Sequence, residues 1–319
     1  MKVKIDKFVI AIILTIGFAY FFPFWGTPNS NVPINTISTI GIFLIFFFYG
    51  LKLSPNKLKA GLKNWKLHIL VQLATFLIFP LIVIVFKPLF SSENSALIWL
   101  AFFFIAALPS TVSSSVVMVS IAKGNIPAAI FNASISGIIG VVITPLWMGL
   151  FLNNEQADFD FTSIYTKLIV QIILPVILGV LLQRYFGAFA QKHSAKLTMF
   201  DKTIILLIIY KSFAESFYEG VFSSVSLLDL FGLLIAVISL FFVVYYLIGF
   251  IAKRLHFSLE DRITAQFCGT KKSLVHGTVF SKILFGNMLS LGIILLPLML
   301  FHATQIVIVS FIASKLSKR

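Results

Sequence analysis

Two adjacent lysines, Lys271 and Lys272, lie inside an apolar part of the sequence. They belong to the segment Gln266–Gly277, which also contains a histidine and a second glycine, Gly269. Ammonium groups and unpaired backbone groups are costly in hydrocarbon, so such a segment is tolerated only where it is buried in protein or lines a water-filled cavity. A lysine in such a place could pair with an anionic ligand, replace a coupling cation or carry a proton. We therefore expect a membrane span that is interrupted at Gly269 and Gly277 and forms part of a binding site.

A second segment combines a proline with hydroxyl side chains in the middle of an apolar run. Residues 107–116 read Ala-Leu-Pro-Ser-Thr-Val-Ser-Ser-Ser-Val. Pro109 removes a backbone donor and clashes with the preceding helical turn, while the hydroxyl groups can satisfy the backbone groups that are freed. The pattern predicts a helix break or kink near Pro109. A proline-kinked helix that packs through its small residues is the alternative.

The composition is that of an integral membrane protein. Hydrophobic residues make up 59% of the 319 residues, charged residues make up 11%, and the mean hydropathy is +1.02. A soluble domain of this size would need a more highly charged surface. The one cysteine, Cys268, excludes an intramolecular disulfide and a cysteine-cluster metal site. We expect no metal site, and we attribute the net charge of +14 to membrane orientation rather than to nucleic-acid binding.

Cutting the chain at its polar and turn-rich joints leaves ten apolar segments. Each has 18 to 28 residues, which is enough to cross about 30 Å of hydrocarbon. When the joints are assigned alternately to two sides, the amino-terminal side carries 19 of the 25 lysines and arginines. By the positive-inside rule both termini are cytoplasmic, and we expect a multi-pass protein of the cell membrane, inner or plasma. The segments are 8–25, 32–51, 66–86, 96–121, 126–151, 163–185, 200–219, 228–252, 259–284 and 287–314.

The two interrupted segments indicate an internal repeat. A Gly-Asn pair follows each of them, at Gly124 and at Gly286, which gives an offset of 162 residues. Because five spans are an odd number, a second copy over 163–314 would be inserted upside down relative to a first copy over 1–151. Interrupted spans at corresponding places of two inverted halves point to the binding site of a transporter.

Several different short motifs are distributed along nearly the whole chain. They include Phe-Cys-Gly-Thr-Lys-Lys-Ser-Leu at 267–274 and His-Ala-Thr-Gln at 302–305. Others are found at 48–53, at 67–72 followed by Phe79-Pro80, at 113–116 followed by Gly124-Asn125, and at 129–132. In combination they resemble the bile acid:sodium symporter family, specifically its divergent branch that contains solute carrier family ten member seven and bacterial relatives.

This resemblance implies an all-α polytopic membrane protein with ten transmembrane helices in two inverted five-helix repeats. Residues 1–319 would form a single transporter domain. A panel would comprise 8–51 and 163–219, and a core would comprise 66–151 and 228–314, with the interrupted helices four and nine crossing beside the substrate and ion sites.

The positions of the family's sodium ligands are largely substituted in this chain. Sodium-coupled members carry oxygen ligands at positions that align here with Val116, Ala129, Ala133, Phe267 and Lys271. Sodium needs several oxygen ligands, so the resemblance leaves sodium coupling in question. No cofactor is expected, and the coupling ion would be sodium or a proton.

Several polar side chains in the spans are candidates for the site. Each of the neutral ones could instead form an interhelical hydrogen bond worth about 1 kcal/mol. Lys211 and Glu215 lie four residues apart on one helical face and form either a structural ion pair or a gate. The candidate substrate- or ion-binding residues are Gln72, Pro109, Ser110, Thr111, Ser113, Ser114, Ser115, Asn132, Gln266, Thr270, Lys271, Lys272, Ser273, His302 and Gln305.

We expect a secondary active transporter that moves a small organic anion by alternating access, with the lipid bilayer and the anion as partners and the oligomeric state left open. A non-transporting membrane regulatory protein on the same fold, for example in calcium or envelope homeostasis, is the alternative. An intramembrane hydrolase that uses Ser114 or His276 is a third hypothesis. Because no Gly-x-Ser-x-Gly, His-Glu-x-x-His or phosphate-loop motif is present, we do not expect an enzyme.

Overall fold

The fold is helical throughout the part of the chain that the computed structural model describes. That part comprises residues 7–27, 30–53, 64–90, 93–111, 113–152, 161–220, 226–285 and 291–318. Helices account for 88% of the described residues, and none of these residues belongs to a strand. The chain is therefore an all-helical, polytopic membrane protein.

The helices follow one another in the order of the apolar segments. The first half contains α1 (Lys7–Phe21), α2 (Ile34–Lys52), α3 (Trp65–Leu89), α4 (Glu93–Ala107), α5 (Ser113–Ile121) and α6 (Ile126–Leu152). Helix α7 runs from Phe161–Leu168 through Ile169–Ile173 into Leu174–Lys192. It is followed by α8 (Ser194–Tyr218), α9 (Leu227–Arg254), α10 (Leu259–Thr270), α11 (Leu274–Phe285) and α12 (Leu291–Leu316).

Six of these helices are long and apolar enough to cross a membrane, namely α2, α3, α6, α7, α9 and α12. The remaining segments differ from them in ways that the sequence explains. Helix α1 has 15 residues, α8 contains lysines and acidic residues, and the pairs α4–α5 and α10–α11 are interrupted. Each predicted segment overlaps one of these helices or one interrupted pair, while the ten-span count and the inverted repeat stay predictions.

A proline explains an irregular turn in α3. A π-helical turn covers Ala74–Ile78, and the N–H of Phe79 donates to the carbonyl of Ala74, five residues earlier. In the same register the carbonyl of Thr75 would accept from residue 80, but Pro80 has no N–H. The Thr75 carbonyl is therefore free to accept a hydrogen bond from another part of the fold.

The interruption of the ninth segment lies between two glycines rather than at them. Helix α10 ends and α11 begins on either side of residues 271–273, which are not helical. Gly269 and Gly277, where the sequence predicts the interruption, lie inside α10 and α11. A Cβ at Gly269 would collide with α9, and one at Gly277 would collide with α12 and with Leu108. The two glycines allow close helix packing instead, so their predicted role was wrong.

Helix α2 packs most closely against α7, at a point where two glycines meet. A Cβ added at Gly50 would lie against the carbonyl of Val176, and one added at Gly179 would lie against the carbonyl of Phe47. Helix α8 packs against α1 and α2, whereas α12 packs against α4 and α9, and α10 packs against α9. The division into a panel and a core stays a prediction.

Candidate functional site

The two helix interruptions contact each other. Helix α4 ends and α5 begins on either side of Pro109, where the chain is not helical. The backbone N–H of Ser273 donates to the Pro109 carbonyl over 2.9 Å, and the Ser110 hydroxyl donates to the Cys268 carbonyl over 2.6 Å. These bonds satisfy backbone groups that the interruptions free. Residues near Pro109 and near Lys271 therefore form one site.

The side chain of Lys272 is fully buried and its ammonium group is completely hydrogen-bonded. Its Nζ atom donates to the carbonyl oxygens of Thr75 at 2.8 Å, Ala106 at 2.6 Å and Leu108 at 2.9 Å. Nζ also lies over the face of Phe79, 4.2 Å from the ring centroid, which is a cation–π contact. Only a protonated amine has three hydrogens to give to three acceptors.

Each of these three carbonyls is available because a helix is interrupted beside it. Ala106 and Leu108 lie at the carboxyl-terminal end of α4, where the last carbonyls have no partner within the helix. The Thr75 carbonyl is released by the π-helical turn before Pro80. Because a helix carries partial negative charge at its carboxyl-terminal end, the end of α4 attracts the Lys272 ammonium group.

One side chain holds the backbone of Lys272. Gln305, fully buried in α12, accepts from the N–H of Lys272 over 2.9 Å and donates to its carbonyl over 2.8 Å. The Gln305 Nε2 atom also lies 3.2 Å from Nδ1 of His302. Gln305 thus replaces the helical hydrogen bonds that are missing at residue 272.

Lys271 reaches the opposite side of the interruption. Its backbone is extended, with φ −81° and ψ 141°, so its side chain and that of Lys272 diverge. Nζ of Lys271 donates to the Ser114 hydroxyl over 2.8 Å, and Ser114 in turn donates to Thr111 over 2.9 Å. The Thr111 and Ser115 hydroxyls are 2.8 Å apart. Lys271 is fully buried and forms no ion pair within the described residues. The Ser113 side chain lies outside the described residues.

A cavity of about 310 Å³ opens beside the two interruptions. Thr111 and Ser114 line it at the start of α5, and Ser273 and His276 line it at the start of α11. The amino-terminal ends of two half-helices therefore face the same space. The amino-terminal end of a helix carries partial positive charge, which favours an anion. At α11 two N–H groups are already bonded within the protein, that of Ser273 to the Pro109 carbonyl and that of His276 to the Ser273 hydroxyl. His302 lines the same cavity from α12.

His276 is a buried polar residue of this cavity that is not among the predicted binding residues. Its Nδ1 atom lies 2.9 Å from the Ser273 hydroxyl, and the edges of Phe46 and Tyr49 face its ring. Its Nε2 atom has no hydrogen-bond partner among the described residues. Because His276 is bonded to Ser273 and Ser114 is bonded to Lys271, the structure does not pair His276 with Ser114 as a hydrolase would require.

Helices α2 and α8 supply a polar wall of the cavity that the sequence analysis missed. Lys52 and Asp201 form an ion pair of 3.5 Å between these helices, and Lys202 also lines the cavity. Ser194, Thr198 and Asp201 recur every three or four residues, so they lie on one face of α8. This spacing of polar residues, which runs from the joint before residue 200 into the seventh apolar segment, was the signal that could have identified them.

A second cavity, of about 260 Å³, lies near the other end of α8. Lys167, Lys211 and Lys282 line it together with Glu215. Lys211 and Glu215 form an ion pair of 2.9 Å, and Lys282 donates to the carbonyl of Asn35 over 3.2 Å. The predicted pair is therefore present in the structure, and its role as a gate stays a prediction.

Four other candidate residues line neither cavity, and their side chains form hydrogen bonds with nearby backbone groups or with each other. The Gln72 amide donates to the Asn132 side chain over 3.1 Å and joins α3 to α6. The Gln266 amide donates to the Tyr245 carbonyl over 3.1 Å and joins α10 to α9. The Thr270 hydroxyl donates within α10, to the carbonyl of Gln266. For these four side chains the interhelical or local hydrogen bond is the interpretation that their contacts support.

The five positions that align with the family's sodium ligands have no side-chain oxygen in this chain. Ala129, Ala133 and Phe267 are fully buried and have no side-chain oxygen. Val116 has no side-chain oxygen either, and at the fifth position Lys271 places an ammonium group rather than an oxygen ligand. These residues do not match the several oxygen ligands that a hard cation requires.

Comparison with known proteins agrees with the motifs. The sequence profile of the SBF-like CPA transporter family matches residues 6–318. The uncharacterized protein PA2026 of Pseudomonas aeruginosa is 37% identical over 314 residues, covering 98% of this chain and 93% of that protein. "Putative symporter YfeH" of Escherichia coli is 32% identical over 316 residues, which are 99% of this chain and 94% of that protein. "Sodium/bile acid cotransporter 7" of Xenopus tropicalis is 31% identical, with 96% and 90% covered.

Two of these three relatives are named as transporters, and the family match extends over both interrupted segments and the residues that line the cavity. The chain is accordingly a transporter and not an enzyme, and it belongs to the SBF-like CPA transporter family.

Proposed function

We propose that this transporter carries a small organic anion across the cell membrane by alternating access and that sodium does not drive it. One observation carries the choice of an anion. The Lys271 ammonium group is buried directly behind the cavity, where it donates to Ser114, a lining residue at the amino-terminal end of α5, and no carboxylate pairs with it among the described residues. Three sources of positive charge around one space favour an anionic ligand.

The positions of the two cavities support alternating access. The first cavity is lined by Phe46 of α2 and the second by Ser38, eight residues earlier on the same helix, which corresponds to about 12 Å. Between these levels Ile42 of α2, Ile205 of α8 and Phe280 of α11 are fully buried. In this proposal these three residues form an apolar layer that separates the two cavities. Rocking of α1, α2, α7 and α8 against the other helices then exposes the site to each side of the membrane in turn.

The membrane arrangement is part of the same proposal. Ten spans in two inverted repeats would place both termini in the cytoplasm, and the first cavity would open to the cytoplasm because Lys52 and Lys202 lie at its end of the fold. Cys268 is the one cysteine, so a Cys268→Ala chain can carry single engineered cysteines at each joint. Labelling of a terminal cysteine by an impermeant reagent in intact cells would contradict this topology.

Uptake into proteoliposomes tests the proposed function. The purified protein would be assayed with a panel of labelled organic anions under an imposed sodium gradient, pH gradient or membrane potential. Lys271→Met should reduce the transport efficiency for the active anion by roughly 10- to 100-fold, because a hydrogen bond to a charged group contributes about 1.5–3 kcal/mol. Lys202→Met, which removes a lysine that lines the cavity on α8 and lies over the Phe8 ring, is the matched control and should have the smaller effect.

Three outcomes would count against the proposal. Equal uptake by Lys271→Met and the wild-type protein would remove the assigned role of Lys271. Uptake that requires inward sodium would contradict the proposed absence of sodium coupling. If no anion moves under any gradient while a protein partner co-purifies, the protein is a membrane regulator on a transporter fold.

A further inference from the structure

We propose that the cage around Lys272 is a monovalent-cation site that the chain fills with its own ammonium group. The cage consists of the carbonyl oxygens of Thr75, Ala106 and Leu108 and the face of Phe79. Its ligand class is a monovalent cation, and a primary alkylammonium ion fits it best. This inference concerns a different lysine from the proposed anion site and does not depend on transport.

The geometry of the cage is that of a cation site rather than of an ordinary lysine contact. Rings of backbone carbonyls replace the hydration shell of a monovalent cation in membrane proteins. Here three carbonyl oxygens lie 2.6 to 2.9 Å from one nitrogen. The aromatic face, 4.2 Å from Nζ, adds a fourth favourable electrostatic contact. Within the described residues no acidic side chain forms an ion pair with Lys272.

The carbonyls cannot easily find other partners. Two of them end α4 before Pro109, and the third belongs to the turn that Pro80 disrupts. The N–H of Ser110, which would pair with the Ala106 carbonyl in a continued helix, donates to the Ser136 hydroxyl instead, and Pro80 has no N–H to offer the Thr75 carbonyl. All three oxygens are enclosed in the protein, and buried acceptors without partners are costly. An empty cage would therefore attract any small cation that could donate to it or coordinate its oxygens.

A tethered ammonium group has a consequence that a mobile ion does not have. Because Lys272 is part of the chain, the cage stays occupied without any ion gradient. The ammonium group also joins α3, α4 and the interruption after α10, so it holds them in one rigid unit. This part of the fold should not depend on sodium or potassium in solution.

Chemical rescue tests the inference. Lys272→Ala removes three methylene groups and the amine, which is the volume of n-propylammonium. We expect the variant to unfold at a lower temperature than the wild-type protein in choline chloride. Adding n-propylammonium chloride should raise its Tm in a saturable manner, by roughly 5 to 10 °C at saturation. Sodium and potassium should raise it less, and tetramethylammonium, which has no N–H donor, should have no effect.

Two further variants make the test specific. Lys271→Ala removes the neighbouring lysine, whose amine bonds to a serine hydroxyl rather than to the cage, so n-propylammonium should not raise its Tm. Lys272→Met fills most of the space but cannot donate, so it should be destabilised and should not be rescued. If Lys272→Ala yields no folded protein, the yield of monodisperse protein refolded with and without n-propylammonium replaces the Tm.

Several results would overturn the inference. It fails if no cation stabilises Lys272→Ala, or if n-propylammonium stabilises Lys271→Ala to the same extent. It also fails if Lys272→Met is as stable as the wild-type protein, because the cage would then not need a cation.

Discussion

Gln305 provides a prediction that can be worked through in detail. Its side-chain amide bonds to both the N–H and the carbonyl of Lys272, over 2.9 and 2.8 Å, in a fully buried position. Gln305→Leu replaces the amide with an apolar side chain of similar size and leaves the N–H and the carbonyl of Lys272 unpaired. A buried polar group without a partner costs about 1–3 kcal/mol. We therefore expect a loss of roughly 2–6 kcal/mol in stability and a fall in Tm of about 5–20 °C.

The assay is thermal unfolding of the purified protein in detergent, at one fixed heating rate because membrane proteins commonly unfold irreversibly. Gln266→Leu is the matched control. It also removes a buried glutamine from an interhelical contact, but that side chain makes one hydrogen bond, to the Tyr245 carbonyl, and holds no non-helical backbone. We expect its Tm to fall by less than half as much. If Gln305→Leu and Gln266→Leu lower the Tm equally, Gln305 has no special role in holding the interruption.

Two other predictions concern the second cavity and the contact between α2 and α7. Lys211→Met breaks an ion pair whose side chains are 17% and 25% exposed, so the loss of stability should be about 1 kcal/mol. A strong loss of uptake with an unchanged Tm would identify the pair as a gate. Unchanged uptake would identify it as a structural pair. Gly50→Ala places a Cβ against the Val176 carbonyl and should lower the Tm by an amount equivalent to about 1–3 kcal/mol, while Gly17→Ala, which meets no atom within 4 Å, should leave the Tm unchanged or higher.

The helical segments and the break at Pro109 could be predicted from the sequence because each has a local cause. Apolar runs of sufficient length define the spans, and a proline ends the helix that precedes it. The break in the ninth segment was placed less well. Glycine is compatible with a break and with close helix packing, and the sequence does not distinguish these roles at Gly269 and Gly277. The structure shows that Lys271, Lys272 and Ser273 form the break, where Gln305 replaces the missing helical bonds.

The partners of the two lysines could not be predicted, because they depend on backbone atoms of distant residues. The sequence identifies Lys272 as unusual, but the carbonyl of Thr75 becomes available through the register of a π-helical turn. Nothing in the residue types near position 75 indicates that α3 would pass beside residue 272. The polar face of α8 is different. The spacing of Ser194, Thr198 and Asp201 was visible, but a segment boundary drawn at residue 200 excluded two of them.

We propose different roles for the two lysines because their ammonium groups lie at opposite ends of half-helices. An extended backbone at residue 271 directs the side chains of Lys271 and Lys272 to different sides. Lys272 meets the carboxyl-terminal end of α4, where partial negative charge and free carbonyls match an ammonium group. Lys271 meets the amino-terminal end of α5, where the partial charge is positive and its one hydrogen bond among the described residues goes to a hydroxyl.

These two positions are electrostatically unequal. Lys272 is compensated by the protein itself, and adding an anion there would compete with three carbonyl oxygens. Lys271 adds positive charge beside the amino-terminal end of α5, and no carboxylate pairs with it among the described residues. In the proposed function an anion that enters the cavity supplies the compensating negative charge. It follows that Lys271→Met should weaken anion binding strongly and lower the Tm only slightly. Lys272→Met should instead lower the Tm strongly. If the two variants show the same ratio of lost affinity to lost stability, the assignment of one lysine to the ligand and the other to the fold is wrong.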